Sequence, residues 1–425
     1  MNLASLLIVT GGLLLYSLIS GRLQGTIVTP PLAFVAFGFA IGAGGLGIAN
    51  FELDHSAIHL LAECTLVLVL FTDAARIDLG RVRRDHDLPV RMLVVGFPLA
   101  ILAGTLAAAF LFPSFSIWEA ALLAALLAPT DAALGQAVVS AKIVPLRVRQ
   151  AINVESGLND GIALPAVLLF AALAVGAEGG NDAAGWVQFV LFQLVLGPLT
   201  GVIIGFVGAR LLDSAAERGW ANDSFQGIGI LSLAIFMFLA AELVGGNGFI
   251  AAFVGGMVFG NSIRNECTFL FEFMETEGQL LMLITFLLFG ATMLPEGVAH
   301  MQPGYIFYAL LSLTLIRMLP IAISLIGSGL SLPTTLFLGW FGPRGLASVL
   351  FVLLILENAG IEHRDEVLAI TVLTVGLSVL LHGVTAAPLA NRYGKRAERM
   401  GECEENQAVM DLPLRDGQMR GHNEK

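Results

Sequence analysis

Leu126-Leu127-Ala128-Pro129-Thr130-Asp131-Ala132 sets a proline and then an ionisable side chain in the middle of an apolar stretch, and Trp340-Phe341-Gly342-Pro343-Arg344-Gly345-Leu346 repeats that order far along the chain. A proline inside a helix leaves a backbone carbonyl without its donor, and hydrocarbon cannot supply one. Such an interruption survives at membrane depth only where it is buried in protein or lines a polar cavity. Both stretches therefore predict unwound segments inside a helical bundle.

The rest of the chain says that the solvent is a bilayer. Of 425 residues, 56% are hydrophobic and only 13% charged, about half the charged share of a soluble domain. Apolar runs near the length of about 20 residues that crosses a bilayer recur to about residue 390. We read them as thirteen transmembrane helices at 2–20, 30–48, 56–75, 90–112, 117–139, 149–175, 185–209, 224–244, 247–262, 270–293, 304–326, 331–356 and 366–389. The first run has no basic residue ahead of it and no small-residue cleavage pattern behind it, so it reads as a span and not as a secretory signal. Residues 391–425 carry mixed charge without helical periodicity and are expected to form a disordered tail.

Basic residues favour cytoplasmic loops, which gives an independent check on the count. Arg22, Arg81, Arg83, Arg84, Arg91, Lys142, Arg147, Arg149, Arg210, Arg218, Arg264, Arg392, Lys395, Arg396 and Arg399 all fall on connections of one side. The alternate connections carry Glu52, Asp54, Glu178, Asp182, Glu296, Glu357, Glu362, Asp365 and Glu366, with Arg364 as the base among them. An odd number of spans with a cytoplasmic C-terminus puts the N-terminus outside. The formal net charge of −11 argues against a nucleic-acid partner. Cys64, Cys267 and Cys403 are far apart, in neither a metal-binding nor a paired pattern.

A second echo links Leu68-Val69-Leu70-Phe71-Thr72-Asp73-Ala74 with Phe286-Leu287-Leu288-Phe289-Gly290-Ala291-Thr292. Span five then matches span twelve and span three matches span ten, a displacement of seven. An odd displacement inverts orientation, so the fold class is an all-α polytopic membrane protein with two inverted-topology repeats and unwound, crossing helices.

The densest polar run inside any predicted span is Asn153-Val154-Glu155-Ser156-Gly157-Leu158-Asn159-Asp160-Gly161. Helical spacing puts Glu155 and Asn159 on one stripe and Ser156 and Asp160 on the next. A charged carboxylate near a bilayer centre costs several kcal/mol unless it is paired or hydrated. Pro129-Thr130-Asp131 adds a carbonyl, a hydroxyl and a carboxylate at the nearby break, all oxygens suited to a small hard cation. Arg317 and Arg344 are the basic groups placed to compensate. If one of them braces Glu155, Asp160 is the carboxylate left to exchange, and proton and cation compete for the same oxygens.

On these residues the chain resembles the monovalent cation/proton antiporters of the NhaP and eukaryotic NHE type, over nearly the whole membrane region. The Asn159-Asp160 pair in the sixth span is the most specific element, with Thr130-Asp131 and Phe341-Gly342-Pro343-Arg344-Gly345 resembling the family's two unwound segments. The resemblance implies a NhaA-like antiporter fold that exchanges Na⁺, or Li⁺ or K⁺, for H⁺. By it, Asp160 carries ion and proton, Thr130 and Ser156 give ligand oxygens, and Asp131 assists at the crossover. Glu155 would pair with Arg317, and Arg344 would balance the facing carbonyl ends. An asparagine ahead of the key aspartate implies electroneutral one-for-one exchange, with no cofactor and no enzymatic chemistry. The family further implies a homodimer in the lipid bilayer of the cell membrane. The moving core would be approximately 90–175 and 304–389, and the scaffold 1–75 and 185–293, within a transmembrane domain of 1–390. The family motif often runs Thr-Asp-Pro, whereas here Pro129 precedes the threonine, so the break is expected a turn earlier.

Weaker signals read as structural. Asp73 and Arg76 are expected as an interfacial anchor pair, with an acidic vestibule as the alternative, and His382 is expected to be a packing residue. An intramembrane aspartyl protease would need Tyr-Asp and Gly-x-Gly-Asp motifs, and neither occurs at Asp131 or Asp160. A cation channel using the same acids as a selectivity ring is the remaining rival.

Overall fold

A computed structural model describes residues 3–23, 25–49, 55–77, 87–131, 134–178, 183–264, 268–356, 360–400 and 403–406, and the described residues form helices, turns and no strand. In chain order the first are α1 (Leu3–Leu23), α2 (Pro30–Ile41), α3 (His55–Ala75), α4 (Asp87–Leu111, with a π-helical turn at Met92–Gly96), α5a (Ile117–Leu126) and α5b (Gln136–Val139). There follow α6 (Leu146–Glu178), α7 (Ala183–Glu217), α8 (Asp223–Leu243) and α9 (Gly248–Ser262). The last are α10 (Thr268–Leu288, continued by a π-helical turn at Phe289–Met293 and by Leu294–Ala299), α11 (Pro303–Leu313 and Leu315–Ser324), α12a (Leu332–Trp340), α12b (Leu346–Leu356) and α13 (Arg364–Ala397).

Each predicted apolar stretch coincides with one of these helices or with a broken pair. Eight of the described helices are long and apolar enough to cross a membrane, and α2, α5a and α9 are shorter apolar helices. α2 stops at Ile41, well short of the predicted 48. Gly42, Gly44, Gly45 and Gly47 follow it, and so many glycines favour a turn over helix. There Leu46 N–H donates to the Ala40 carbonyl at 2.7 Å and Ala49 N–H to the Ile41 carbonyl at 2.9 Å.

The other end of the chain corrects the expected boundary at 390. α13 runs on to Ala397, and residues 403–406 fold back on the bundle. The buried Glu405 carboxylate accepts hydrogen bonds from Ser331 N–H and the Thr334 hydroxyl, both at 2.8 Å. Burial alone would push that carboxyl up, but these donors hold it down at about 2. Next to it Arg147 donates to Glu404 at 2.7 Å and to Asp87 at 2.9 Å, so the segment after α13 ties together the ends of α4, α6 and α12a. Residues 407–425, together with Cys267, Ala132, Glu52, Asp54, Asp182, Glu357, Arg81, Arg83 and Arg84, lie outside the described residues.

The helices fall into two packing groups. α5a lies against α4 and α6, and α12b against α3, α6 and α13, which gathers both breaks at the centre. In the other group α9 packs on α3 and α7, and α2 on α10, where Gly38 and Gly290 bring the backbones into contact.

A polar clasp joins the starts of α5a and α13. Ser116 and Glu119 form a capping box at the head of α5a, and the same buried Glu119 carboxylate accepts His363 N–H at 3.0 Å and faces His363 Nδ1 at 3.0 Å. Burial disfavours the charged imidazole, but the bond to Glu119 and the negative charges of Glu119, Glu366 and Glu362 outweigh it and raise its pKa. A histidine whose folded pKa is raised lends its full stabilisation below the unfolded value of about 6.5 and loses it as pH climbs through the folded value. His363→Gln is therefore expected to lower the melting temperature by a few degrees at about pH 5.5, with the gap closing in alkali. Melting curves across pH check this, and a gap that does not change with pH would refute it.

Candidate ion-binding site

The two breaks meet face to face. α5a ends at Leu126, where Leu127 and Ala128 N–H reach back to the Leu123 and Ala125 carbonyls and the carbonyls beyond them point into the break. Arg344 from the other break reaches across and donates through Nη1 to the Ala128 carbonyl at 2.8 Å and the Pro129 carbonyl at 3.3 Å. A fixed cation at the negative end of a helix is the favourable sign. In return Asp131 N–H donates to the Pro343 carbonyl at 2.8 Å, and Leu346 N–H donates to Asp131 Oδ2 at 3.1 Å. Gly345 makes this crossing possible, because a Cβ there would land on the Asp131 carboxylate.

α6 supplies the second wall. Ser156 Oγ donates to the Thr130 carbonyl and Asn159 Nδ2 to the Thr130 hydroxyl, each at 2.5 Å. Both oxygens of Thr130 are thus engaged by α6, which locks the unwound segment to the polar stripe of that helix. One turn away, Arg317 of α11 grips Glu155 with two parallel hydrogen bonds of 2.5 and 2.6 Å, and both side chains are 1% exposed. Fork-to-fork pairing of this kind fixes geometry as well as charge. Gly342 makes room for it, since a Cβ would strike the Arg317 guanidinium.

Asp160, Asp131, Ser156 and Asp73 line one cavity of about 20 Å³, walled otherwise by apolar side chains that include Leu66, Met282, Leu346 and Leu350. That is about the room a single water-sized particle needs. Thr130, Asn159, Glu155, Arg317 and Arg344 do not line it and stand behind it as supports. Two larger cavities approach from opposite ends of the bundle. One, of about 650 Å³, runs from Ser20, Lys142 and Asn391 to Met282; the other, of about 820 Å³, runs from Glu296, His300 and Asp365 to Leu350. Met282 and Leu350 border the central cavity too, so each funnel stops against its wall.

Two features stand differently from the favoured sequence reading, in which an acidic vestibule is the alternative for Asp73 and core packing the expectation for His382. Asp73, expected at an interface, lines the central cavity with Asp131 and Asp160. Arg76, one turn on, favoured the anchor reading, and the packing of α3 against α6 and α12b brings Asp73 to the cavity. Ser378 and His382 of α13 close on the twelfth-helix break: Arg344 N–H donates to Ser378 Oγ at 2.7 Å, and His382 Nε2 lies 3.0 Å from the Trp340 carbonyl. His382, expected to pack, is buried, but its contact with the α12 break, and that of Ser378, depend on how α13 lies beside it.

Comparison with known proteins gives this arrangement its relatives. The chain is 23% identical over 388 residues to the K(+)/H(+) antiporter NhaP of Alkalimonas amylolytica, covering 90% of this chain and 66% of that one. It is 23% identical over 380 residues to the K(+)/H(+) antiporter NhaP2 of a Shewanella species, covering 88% and 64%. The chain thus spans just under two thirds of the length of these relatives. Its fold matches the solved structure of a sodium proton antiporter from Methanocaldococcus jannaschii with a TM-score of 0.76 at 18% identity, covering 94% of this chain and 98% of the other. The family profile described as sodium/hydrogen exchanger, transmembrane, matches residues 6–392, and the chain belongs to that family.

Proposed function

We propose that this protein is a secondary antiporter that exchanges a monovalent cation for protons, one for one, at Asp160. The observation that carries the reading is the ion-sized cavity where Asp160, Asp131, Ser156 and Asp73 converge between two blind funnels. The carboxylate of Asp160 binds either a proton or a cation, and Asp131, Ser156 and Asp73 add oxygens that favour the cation once the proton leaves. Neither species can share the site, so the loaded carrier always turns with one or the other. Arg317 neutralises Glu155 and so leaves the exchanging charge on the cavity side of α6.

Sodium is the cation we propose, held in a space with room for little more than one ion. The potassium in the names of the bacterial relatives is the alternative that the same assay decides. In this reading the crossings number thirteen, with the N-terminus outside and the C-terminus cytoplasmic in the cell membrane. α4–α6 and α11–α13 move as the core, against a scaffold of α1–α3 and α7–α10 that pairs with a second copy. The test is purified protein in liposomes loaded with a pH dye, given sodium, lithium or potassium gradients in turn. Cation-driven alkalinisation or acidification that needs no membrane potential supports electroneutral exchange. Ion flux without proton movement would replace the antiporter with a channel.

A further inference from the structure

Among the backbone groups that unwinding α12 frees are the Trp340 carbonyl at the end of α12a, which also accepts Gly342 N–H at 2.8 Å, and the Arg344 amide ahead of α12b. One pair of side chains on α13, four residues apart, answers both. Ser378 Oγ accepts Arg344 N–H at 2.7 Å, His382 Nδ1 lies 3.2 Å from Ser378 Oγ, and His382 Nε2 lies 3.0 Å from the Trp340 carbonyl. His382 Nδ1 also lies 3.0 Å from the Ser378 carbonyl; a carbonyl can only accept, so the protonated ring nitrogen donates to the carbonyl it faces, Nε2 to Trp340 or Nδ1 to Ser378. The result is a continuous polar staple from Trp340 to Arg344 through α13. Both residues are fully buried, with Ser378 0% and His382 1% exposed. Trp340 Nε1 adds a bond to the Thr385 hydroxyl at 3.1 Å, and the Trp340 and His382 rings lie 4.9 Å apart.

The stapled segment holds the ion site. Pro343 O and Leu346 N–H, beside and beyond the two stapled groups, grip Asp131 at its amide and at its carboxylate, and Asp131 lines the central cavity. We propose that Ser378 and His382 are positioning residues for cation binding: by clamping the α12 break from α13 they set where Asp131 stands beside Asp160. The proposal rests on the exchange reading above. Neither residue lines the central cavity, so their loss should loosen cation binding without altering the carboxylate that titrates.

The experiment compares Ser378→Ala, His382→Ala and His382→Gln with the parent in liposomes, reading apparent cation KM, maximal rate and the pH of half-maximal exchange. Glutamine keeps an N–H near the position of Nε2. Ser378→Ala and His382→Ala are expected to raise the cation KM about tenfold, with the pH midpoint held when it is read at cation concentrations well below KM, and His382→Gln to recover most of the loss. Melting curves in detergent accompany each variant. If His382→Ala does not fold, Ser378→Ala and His382→Gln carry the comparison. An unchanged KM in folded, active variants would overturn the proposal, as would a glutamine no better than alanine or a fall in maximal rate that merely tracks melting. A parent protein with no exchange at all would instead sink the antiporter reading.

Discussion

Asp160→Asn should abolish cation-driven proton movement while leaving the protein folded. The substitution keeps the size of the side chain and removes the group that alternates between proton and cation. Exchange is expected to fall at least about a hundredfold, equivalent to about 2.7 kcal/mol. Melting should hold or rise, because a neutral amide costs less than a carboxylate at membrane depth. The pairing of lost transport with an intact fold separates a carrier residue from a structural one. A variant that transports like the parent would remove Asp160 from the centre of the mechanism. One that loses transport only because it melts would leave its role structural.

The second large effect concerns stability. Glu155→Gln and Arg317→Ala are each expected to lower stability by about 3–5 kcal/mol, because either change strands the other charge in a site 1% exposed. Coulomb attraction between the two is not the point: a buried pair roughly breaks even against apolar side chains, and the cost appears when one member is removed. The double variant Glu155→Gln with Arg317→Ala should therefore be less damaged than the sum of the singles, as expected for residues in direct contact. Thermal melting of the three variants in one detergent decides it. Additive losses would mean that the two side chains act separately despite the two short bonds between them.

Much of this site was legible because a membrane makes ionisable residues expensive. Glu155, Asp160, Arg317 and Arg344 had to be paired, hydrated or functional wherever the helices placed them, and the structure places all four within one crossing. The prolines at 129 and 343 were equally informative, since each demanded partners for its carbonyl ends. What composition could not supply was distance across the bundle. Asp73 looked like an anchor because Arg76 follows it, and its arrival at the cavity depends on how α3 lies against α6 and α12b. Thr130 was expected as a ligand; each of its oxygens accepts one hydrogen bond from α6, a tie that the sequence did not show. Ser378 and His382 are ordinary residues on an apolar helix until the break in α12 lies beside them. The same holds for residues 403–406, whose polar side chains read as solvated tail but find donors on α6 and α12a.

The central claim is competition between a proton and a cation for one carboxylate, and proton release on cation binding tests it most directly. Titrating the purified protein with sodium or potassium in two buffers of different ionisation enthalpy gives the protons released per ion bound. The account predicts close to one proton per cation where Asp160 is protonated, an apparent affinity that weakens up to about tenfold for each pH unit of acidification, and neither signal in Asp160→Asn. Cation binding that releases no protons, with an affinity indifferent to pH, would contradict it.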